Sequence, residues 1–369
     1  MNNAIYHFRE PQNEPVLNYK KGSEERKQLM DALNKVASEK VEIPLIIGGK
    51  EIKTGIKGKV VMPHRYRHVL AEYHMAQPEH VKMAIEAALK AKTDWMELSW
   101  IERASIFQRA AELVSKKYRY LLNATTMHGQ GKNAFQAEID SACEVIDYLR
   151  FNNHFASKIY EDQPIAQNDV INRVEYRPLE GFIYSISPFN FTAIAANLNA
   201  SVALMGNVLV WKPSTTALLS NYLLMKIFKE AGLPDGVINF IPGKGSLISD
   251  VVLNHKDFAG IHFTGSTKTF RGLWSQINEN LEQYRSYPKI VGETGGKDFV
   301  FVHHSANVDE VTTALIRGAF EYQGQKCSAA SRAYIPQSLW PDIKNKLLTE
   351  LATVKWGSVD DLDNFMNAV

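Results

Sequence analysis

Two cysteines occur in this 369-residue chain, and one of them has surroundings that suit a nucleophile. Cys327 lies in the stretch GQKCSAASR, after a predicted helix, with Gly324 and Lys326 before it. The thiolate is the reactive form of cysteine, and a polar, cationic flank favours it. Cys143 lies on a predicted helix beside Ala142 and Val145, which is typical of a buried, inert cysteine. We therefore predict that Cys327 reacts and that Cys143 only packs.

Other catalytic arrangements that use cysteine fit this sequence poorly. No histidine adjoins Cys327, which disfavours a papain-like cysteine hydrolase. The 11 histidines show no zinc-ligand spacing such as HExxH. Two cysteines cannot build a disulfide scaffold or a four-cysteine zinc site. We predict no metal site and a reducing compartment.

Two further polar residues follow predicted strands. Glu293 stands in GETGGKD beside Gly295 and Gly296, and a carboxylate at such a strand end can act as a general base. Asn190 stands in SPFNF, where a side-chain amide can donate to an oxygen that gains negative charge. Each residue has an ordinary alternative interpretation. Glu293 would be a surface glutamate next to a turn, and Asn190 a helix cap or turn residue.

The motifs WKPS and FTGST indicate a phosphate-containing ligand. Lys212 ends a predicted strand, where its ammonium group can bind a ribose hydroxyl or a phosphate. Gly265 precedes a predicted helix, whose free N–H groups can face a pyrophosphate. No GxGxxG follows, because Phe270 stands five residues after Gly265, so a dinucleotide would bind without the Rossmann glycine fingerprint. A solvated lysine is the alternative for Lys212.

The elements that carry these motifs alternate between strand and helix. Strands are predicted at 182–186, 208–211, 237–241, 260–263 and 289–292, and helices at 192–205, 215–231, 246–254 and 267–282. Single helices between strands imply right-handed crossovers and a doubly wound parallel sheet, which binds ligands at the carboxyl ends of its strands. The motifs should therefore meet at one sheet edge. A further strand before a turn at 178–181 is also predicted.

The first half of the chain and the overall composition limit the function further. Residues 1–60 are predicted to form an arm with a helix over 23–38 and a short strand at 43–49, and three helical patterns follow up to residue 158. The chain has 42 basic and 40 acidic residues, which disfavours a nucleic-acid or membrane-surface partner. No apolar run is long enough to span a bilayer, and the first residues resemble neither a secretory leader nor a clear transit peptide.

The ordered set SPFNF, WKPS, GLPDGVINFIPG, FTGS, ETGGKD and GQKCSAASR resembles the aldehyde dehydrogenase superfamily. The spellings ISPFNFTAI, FTGSTKTF, FEYQGQKCSA and MHGQGKNAFQAEID are similar to the branch that oxidises L-glutamate γ-semialdehyde to L-glutamate in proline catabolism. The resemblance implies an α/β aldehyde dehydrogenase-like fold, with a doubly wound parallel-sheet NAD-binding domain and the start of an α/β catalytic domain. It divides the chain into an N-terminal arm (1–42), an NAD-binding domain (43–293) with part of an oligomerisation hairpin near 155–180, and an incomplete catalytic domain (294–369).

The resemblance also implies roles for individual residues. Cys327 would attack the aldehyde, Asn190 and the Cys327 backbone N–H would stabilise the oxyanion, and Glu293 would activate water. The positions that match NAD contacts are Ser187, Lys212, Gly265, Ser266, Thr267, Lys268 and Thr269. The positions that match substrate contacts are Phe191, Glu138 and Ser328. Thr215 departs from the family, which often has an acidic residue near the adenosine ribose.

The family continues beyond the last residue of this sequence, so we expect a C-terminally truncated chain with impaired turnover. The resemblance implies a small aldehyde as substrate, a homodimer or higher homo-oligomer, and the mitochondrial matrix, with the cytoplasm as the alternative compartment. Three other functions stay open. They are a cofactor-independent thioesterase or esterase, a non-catalytic truncated paralogue that binds NAD weakly or dimerises with complete partners, and a dehydrogenase of another aldehyde.

Overall fold

The computed structural model describes residues 9–369, which contain twelve strands in three sheets. The strands are β1 Val41–Ile43, β2 Leu45–Ile47, β3 Lys50–Ile52, β4 Lys57–Met62, β5 Arg65–His74, β6 Phe182–Ile186, β7 Leu209–Lys212, β8 Ile238–Phe240, β9 Phe258–Gly265, β10 Lys289–Thr294, β11 Asp298–Phe301 and β12 Ala330–Tyr334. The seven-stranded sheet has the order β10-β9-β6-β7-β8-β2-β3. The other two sheets are β1-β5-β4 and the pair β11-β12.

Helices separate most of these strands. They are α1 Glu24–Ser38, α2 Pro78–Glu97, α3 Trp100–Leu113, α4 Arg119–Gln130, α5 Ala134–Ala137, α6 Val145–Glu161, α7 Thr192–Leu204, α8 Leu218–Glu230, α9 Gly245–Leu253, α10 Thr267–Glu279, α11 Val308–Phe320 and α12 Trp340–Leu351. π-Helical turns occupy Val114–Tyr118 and Glu138–Glu144. Such turns are often found at functional sites.

The predicted doubly wound parallel sheet is confirmed. Strands β6 to β10 are the five predicted strands, and they pair in parallel with one another. Strands β2 and β3 extend the sheet beyond β8 in antiparallel pairs. Their side chains are mostly buried from β6 to β9, because helices cover both faces of a parallel sheet. Strands β7 and β8 follow β6 in sequence and lie on one side of it in the sheet. The next strand, β9, pairs with the other side of β6. The strand order therefore reverses at β6, where such sheets bind ligands.

The N-terminal part agrees only partly with prediction. Helix α1 confirms the helix predicted over 23–38, and its N-cap Ser23 accepts a hydrogen bond from the backbone N–H of Arg26. The strand predicted at 43–49 is split between β1 and β2, which belong to different sheets. The antiparallel pair β4–β5 was not predicted. Its many polar residues hide the alternation that indicates a half-buried strand.

The segment between α6 and β6 does not form the strand predicted before the turn at 178–181. Helix α6 continues to Glu161, and no strand is assigned from there to residue 181. One antiparallel bridge joins Gln167 to Val170, and the Gln163 side-chain amide bonds both the N–H and the carbonyl of Val174. The part of an oligomerisation hairpin expected near 155–180 stays a prediction, and within this chain the segment makes these local contacts. A side chain supplies the hydrogen bonds that a partner strand would otherwise make.

Beyond β10 a smaller unit begins. The parallel pair β11–β12 packs with α11 and α12 around a cluster of Val302, Val311, Leu315 and Ile343. The predicted division between two domains at residue 293 stays a prediction, although β10 ends beside it at Thr294. Within residues 9–369, no helix is long and apolar enough to cross a membrane. No group of three or more histidine, cysteine, aspartate or glutamate side chains there could hold a metal ion.

Candidate active site

A cavity of about 460 Å³ opens at the carboxyl ends of β6, β9 and β10. The strand register brings its walls together, because Ile186 pairs with both Lys212 and Phe263, and Glu293 pairs with Thr264. The predicted site residues that line this cavity are Ser187, Asn190, Lys212, Gly265, Ser266, Thr269, Glu293 and Cys327. The structure therefore brings together eight positions that are spread over five motifs of the sequence.

The nucleophile candidate lies on a loop that closely approaches the turn after β10. Gly296 lies directly against the carbonyl oxygen of Cys327, and a Cβ atom there would clash with that oxygen. This contact explains one of the two glycines next to Glu293, because a side chain would push the cysteine loop away. Cys327 is partly exposed in the cavity, whereas Cys143 is buried. Burial beside Glu138 raises the pKa of the Cys143 thiol to about 12, which keeps it protonated.

Asn190 bridges the two loops that meet across the cavity. Its Nδ2 donates a hydrogen bond of 2.9 Å to the carbonyl oxygen of Gln325, two residues before Cys327. The amide is therefore held beside the cysteine loop rather than pointing into solvent. A group in this position has the donor that a developing oxyanion on an adduct of Cys327 requires.

A second cavity, of about 850 Å³, adjoins the first and shares Ile186, Lys212 and Thr269 with it. Burial lowers the pKa of Lys212 from its ordinary value, and no acidic side chain among residues 9–369 offsets this effect. The buried hydroxyl of Thr264, which lines the first cavity, has no hydrogen-bond partner in the described chain. A cation and an unpaired hydroxyl along one continuous cleft fit a dinucleotide with its negative phosphates.

The start of α10 places part of the predicted cofactor segment at the cleft. Ser266 caps this helix by accepting a hydrogen bond of 3.2 Å from the backbone N–H of Thr269. Thr267 and Lys268 are exposed on the first turn and do not line either cavity. Gly265, Ser266 and Thr269 are thus brought to the site, and their two neighbours are not.

The three predicted substrate residues are not brought to the cavity lining. Phe191 packs its ring on the Lys132 ammonium group, 4.0 Å from the ring centroid, and Ser328 is exposed beyond Cys327. Glu138 is fully buried and ion-paired with Arg119, and its other oxygen accepts from the Tyr19 hydroxyl at 2.6 Å. With both oxygens bonded inside the protein, Glu138 has no free acceptor for a substrate. Glu138 therefore lies outside the lining of this cavity, and its role toward a substrate stays a prediction.

The sequence patterns did not single out Asp140, Glu144 and Tyr148 as candidate functional residues. Burial and the neighbouring Asp140 raise the pKa of Glu144 to about 7, and the charges of Lys132 and Lys326 oppose that rise. Burial raises the pKa of Tyr148, and the charges of Glu144 and Glu293 raise it further. Glu144 and Tyr148 line a separate cavity together with Asp147. A signal for them did exist. Positions 140, 144 and 148 recur every four residues and share a helical face that excludes position 138.

Comparison with known proteins agrees with this geometry. The model of the aldehyde dehydrogenase family matches residues 53–369. The delta-1-pyrroline-5-carboxylate dehydrogenases named mitochondrial from Dictyostelium discoideum and Homo sapiens are 49% and 46% identical to this chain, over 97% of its length. The chain spans 65% and 64% of the lengths of these two relatives.

A solved structure extends the similarity to the whole described fold. The delta-pyrroline-5-carboxylate dehydrogenase of Mycobacterium tuberculosis, crystallised with NAD, has 48% sequence identity and a TM-score of 0.98. The match covers 100% of this chain and 69% of that structure. A 1-pyrroline-5-carboxylate dehydrogenase from Thermus with bound NAD, at 27% identity, gives a TM-score of 0.89. With the reversed strand order, the cysteine loop and these matches in agreement, the chain belongs to the aldehyde dehydrogenase family.

Proposed function

We propose that this chain carries the cofactor cleft and the nucleophile of an NAD-dependent L-glutamate γ-semialdehyde dehydrogenase, which forms L-glutamate in proline catabolism. The observation that carries the proposal is the meeting of Cys327, Asn190 and Glu293 in one cavity that continues into a cation-lined cleft. A hydrolase would need the cysteine and an acid–base group but not the second cavity. The size and lining of that cavity favour the dehydrogenase.

The chain's own residues supply most of the chemistry. Cys327 Sγ adds to the aldehyde carbon, and the Asn190 amide and the Cys327 backbone N–H donate to the oxygen that becomes negative. NAD, when bound, supplies the acceptor for the hydride that leaves this carbon. Glu293 then takes a proton from a water molecule that attacks the resulting thioester, which releases the acid and restores the thiol. Lys212, Ser187, Ser266 and Thr269 would hold the cofactor.

Charges beside the cavity support an amino-acid aldehyde as the substrate. The free semialdehyde carries an ammonium and a carboxylate group next to its aliphatic chain. Glu144 and Lys326 offer one charge of each sign, and the two charges interact. Lys326 precedes Cys327 in the chain and is held by a 2.9 Å ion pair with Glu321. An ammonium group beside Glu144 would stabilise its ionised form. A dehydrogenase of simple aldehydes would have no use for this pair.

NADH formation on mixing the purified chain with NAD⁺ and L-glutamate γ-semialdehyde tests the proposal. We expect absorbance at the NADH band that disappears in Cys327→Ala, while NAD⁺ binding measured by calorimetry persists. Cys143→Ala is the matched control, and its NADH signal should equal that of the parent chain. Product formation without NAD⁺ would favour the esterase, and NADH formation that survives Cys327→Ala would reject the proposed nucleophile. Binding of NAD⁺ without any NADH would favour a non-catalytic binder.

A comparison of aldehydes separates the semialdehyde from simpler substrates. We expect Glu144→Gln to lower kcat/KM for the semialdehyde about tenfold, because one charge contact is lost. Propanal has no ammonium group, so its kcat/KM should change little. An equal fall for both aldehydes would show that Glu144 does not select the amino-acid substrate.

We infer that the protein is mitochondrial and that copies of this chain associate with each other. Several relatives carry the word mitochondrial in their names, and fractionation of the source cells would test that address. Large apolar side chains are exposed between α6 and β6, among them Ile165 and Ile171, which are each 90% exposed. Such a surface suits a second copy of the chain. A monomeric mass in sedimentation equilibrium would oppose this inference.

A further inference from the structure

One fully buried ion pair lies beneath the candidate active site and has no part in the proposed reaction. Lys132 Nζ lies 2.7 Å from Asp140, and the two side chains are 0% and 1% exposed. Removing two charges from water carries a large desolvation cost, so such a pair contributes little net stability over an apolar pair of the same size. Its presence calls for a role other than stability.

The aspartate end of the pair holds the loop that carries Asn190. Helix α7 has no side-chain N-cap of its own, because Phe191 occupies that position. Asp140 replaces the missing cap, accepting hydrogen bonds of 3.0 Å and 2.8 Å from the backbone N–H groups of Thr192 and Ala193. A carboxylate at the start of a helix satisfies free donors and interacts favourably with the helix dipole. The first turn of α7, and hence Asn190, is positioned from outside the helix.

The lysine end of the pair contacts both loops. Its ammonium group lies 4.0 Å from the ring centroid of Phe191 and 4.6 Å from that of Tyr322. Tyr322 and Gln323 have backbone φ angles of 51° and 54°, which residues other than glycine rarely adopt. This turn leads directly into the loop of Cys327. A desolvated cation between two rings attracts both of them, and it fixes the strained turn against the start of α7.

We propose that Lys132 and Asp140 are positioning residues that fix the Asn190 loop and the Cys327 loop relative to each other. The inference rests on the proposed function, which gives Asn190 and Cys327 their roles. The pair touches neither the reacting atoms nor the cofactor cleft. It acts through the first turn of α7 on one side and through the Tyr322 turn on the other.

Hydrogen exchange on the purified chain tests this role without needing turnover. In Lys132→Met, we expect amides at 192–195 and at 321–327 to exchange about tenfold faster or more, while those of β6 to β9 keep their rates. Lys132→Arg retains the cation and should restore most of the protection in both loops. Asp140→Asn keeps one acceptor for the helix and should loosen the two loops to a smaller degree, which covers the case of a Lys132→Met chain that does not fold.

Arg103 on α3 provides the matched control, because it is a buried cation that contacts the C-terminal end of α7, whereas Lys132 and Asp140 act at its N-terminal end. Its Nε donates a 2.9 Å hydrogen bond to the carbonyl of Leu204. Arg103→Met should speed exchange at the C-terminal end of α7 and leave 321–327 unchanged. The proposal is overturned if Lys132→Met loosens only one loop, loosens neither, or raises exchange evenly over the sheet. Because none of these results depends on NADH formation, failure of this inference is distinguishable from failure of the proposed function.

Discussion

Strands β6 and β8 of the seven-stranded sheet are almost wholly buried, whereas most side chains of β11 and β12 face solvent. The large sheet belongs to a core that runs from α1 to α10, and the small one rests on a four-residue cluster. The two halves of the candidate site are therefore supported unequally. The cofactor side stands on a rigid parallel sheet, and the nucleophile side stands on the smaller unit.

The difference shows why the contacts between the two units matter for chemistry. The cysteine loop reaches the large unit through Asn190 and through the Tyr322 ring on Lys132. A loop with a strained turn keeps its shape only where surrounding contacts hold it. The geometry of the site is thus set at the boundary of the two units, and comparisons between them test it.

The largest expected contrast is the cost of removing one aromatic side chain from each unit. Trp211 on β7 is fully buried and packs edge-on against Phe240 at 5.0 Å, so Trp211→Ala should lower the free energy of unfolding by about 3–5 kcal/mol. Phe301 on β11 is 74% exposed, and Phe301→Ala should cost about 0.5 kcal/mol or less. Urea unfolding followed by far-ultraviolet circular dichroism measures both. Similar costs would mean that the β11 face is covered in solution.

The same contrast explains which elements the sequence could predict. Strands β6 to β9 are short apolar runs bounded by glycines and separated by helices, and four predicted strands match them closely. Hairpin β4–β5 is mixed in polarity and was missed. A strand was also predicted before the turn at 178–181, yet there the Gln163 side chain bonds the backbone of Val174. Buried strands have an apolar sequence pattern that predicts them, whereas exposed strands have mixed polarity and lack that pattern.

The second contrast compares how two glutamates, Glu144 and Glu102, make the stability of the fold depend on pH. The pKa of Glu144 is raised to about 7 from an ordinary 4.5, chiefly by burial and then by Asp140. The unfolded chain therefore loses this proton first, and the stability of the fold decreases as pH rises from about 4.5 to about 7. Glu144→Gln cannot ionise and should be more stable than the parent at pH 8 by about 1–2 kcal/mol, with little difference at pH 4. Thermal unfolding at both pH values measures this.

Glu102 offers a control of opposite sign. Hydrogen bonds from the Ser99 hydroxyl and backbone N–H lower its pKa in the capping box of α3. Its ionised form therefore stabilises the fold at pH values above the ordinary pKa, and Glu102→Gln should be less stable than the parent at pH 8. If both glutamine variants move stability in the same direction with pH, the assigned state of Glu144 is wrong.

The site itself was predictable at strand ends and less so on helices. Lys212 and Glu293 lie at the ends of β7 and β10, and Asn190 lies in the loop after β6. Parallel strands end at one edge whatever the details of packing. Glu138 was chosen by resemblance, and its burial with Arg119 reflects contacts between α4 and the π-helical turn that no local pattern contains. The role of Asp140 at α7 joins residues 52 positions apart. Tertiary contacts of this kind require the structure.

The smallest expected effect comes from a helix cap in the small unit, and it tests whether the two units unfold together. Asn307 caps α11 in the small unit by accepting hydrogen bonds of 2.8 Å and 3.3 Å from the backbone N–H groups of Asp309 and Glu310. Asn307→Ala should destabilise this helix by about 1 kcal/mol, because the N–H groups lose their acceptor. Hydrogen exchange should then accelerate over 308–320 and not in β6 to β9, since the small unit opens on its own. Equal acceleration in both units would instead mean one cooperative fold, in which the cysteine loop is as firmly held as the sheet beneath the cofactor cleft.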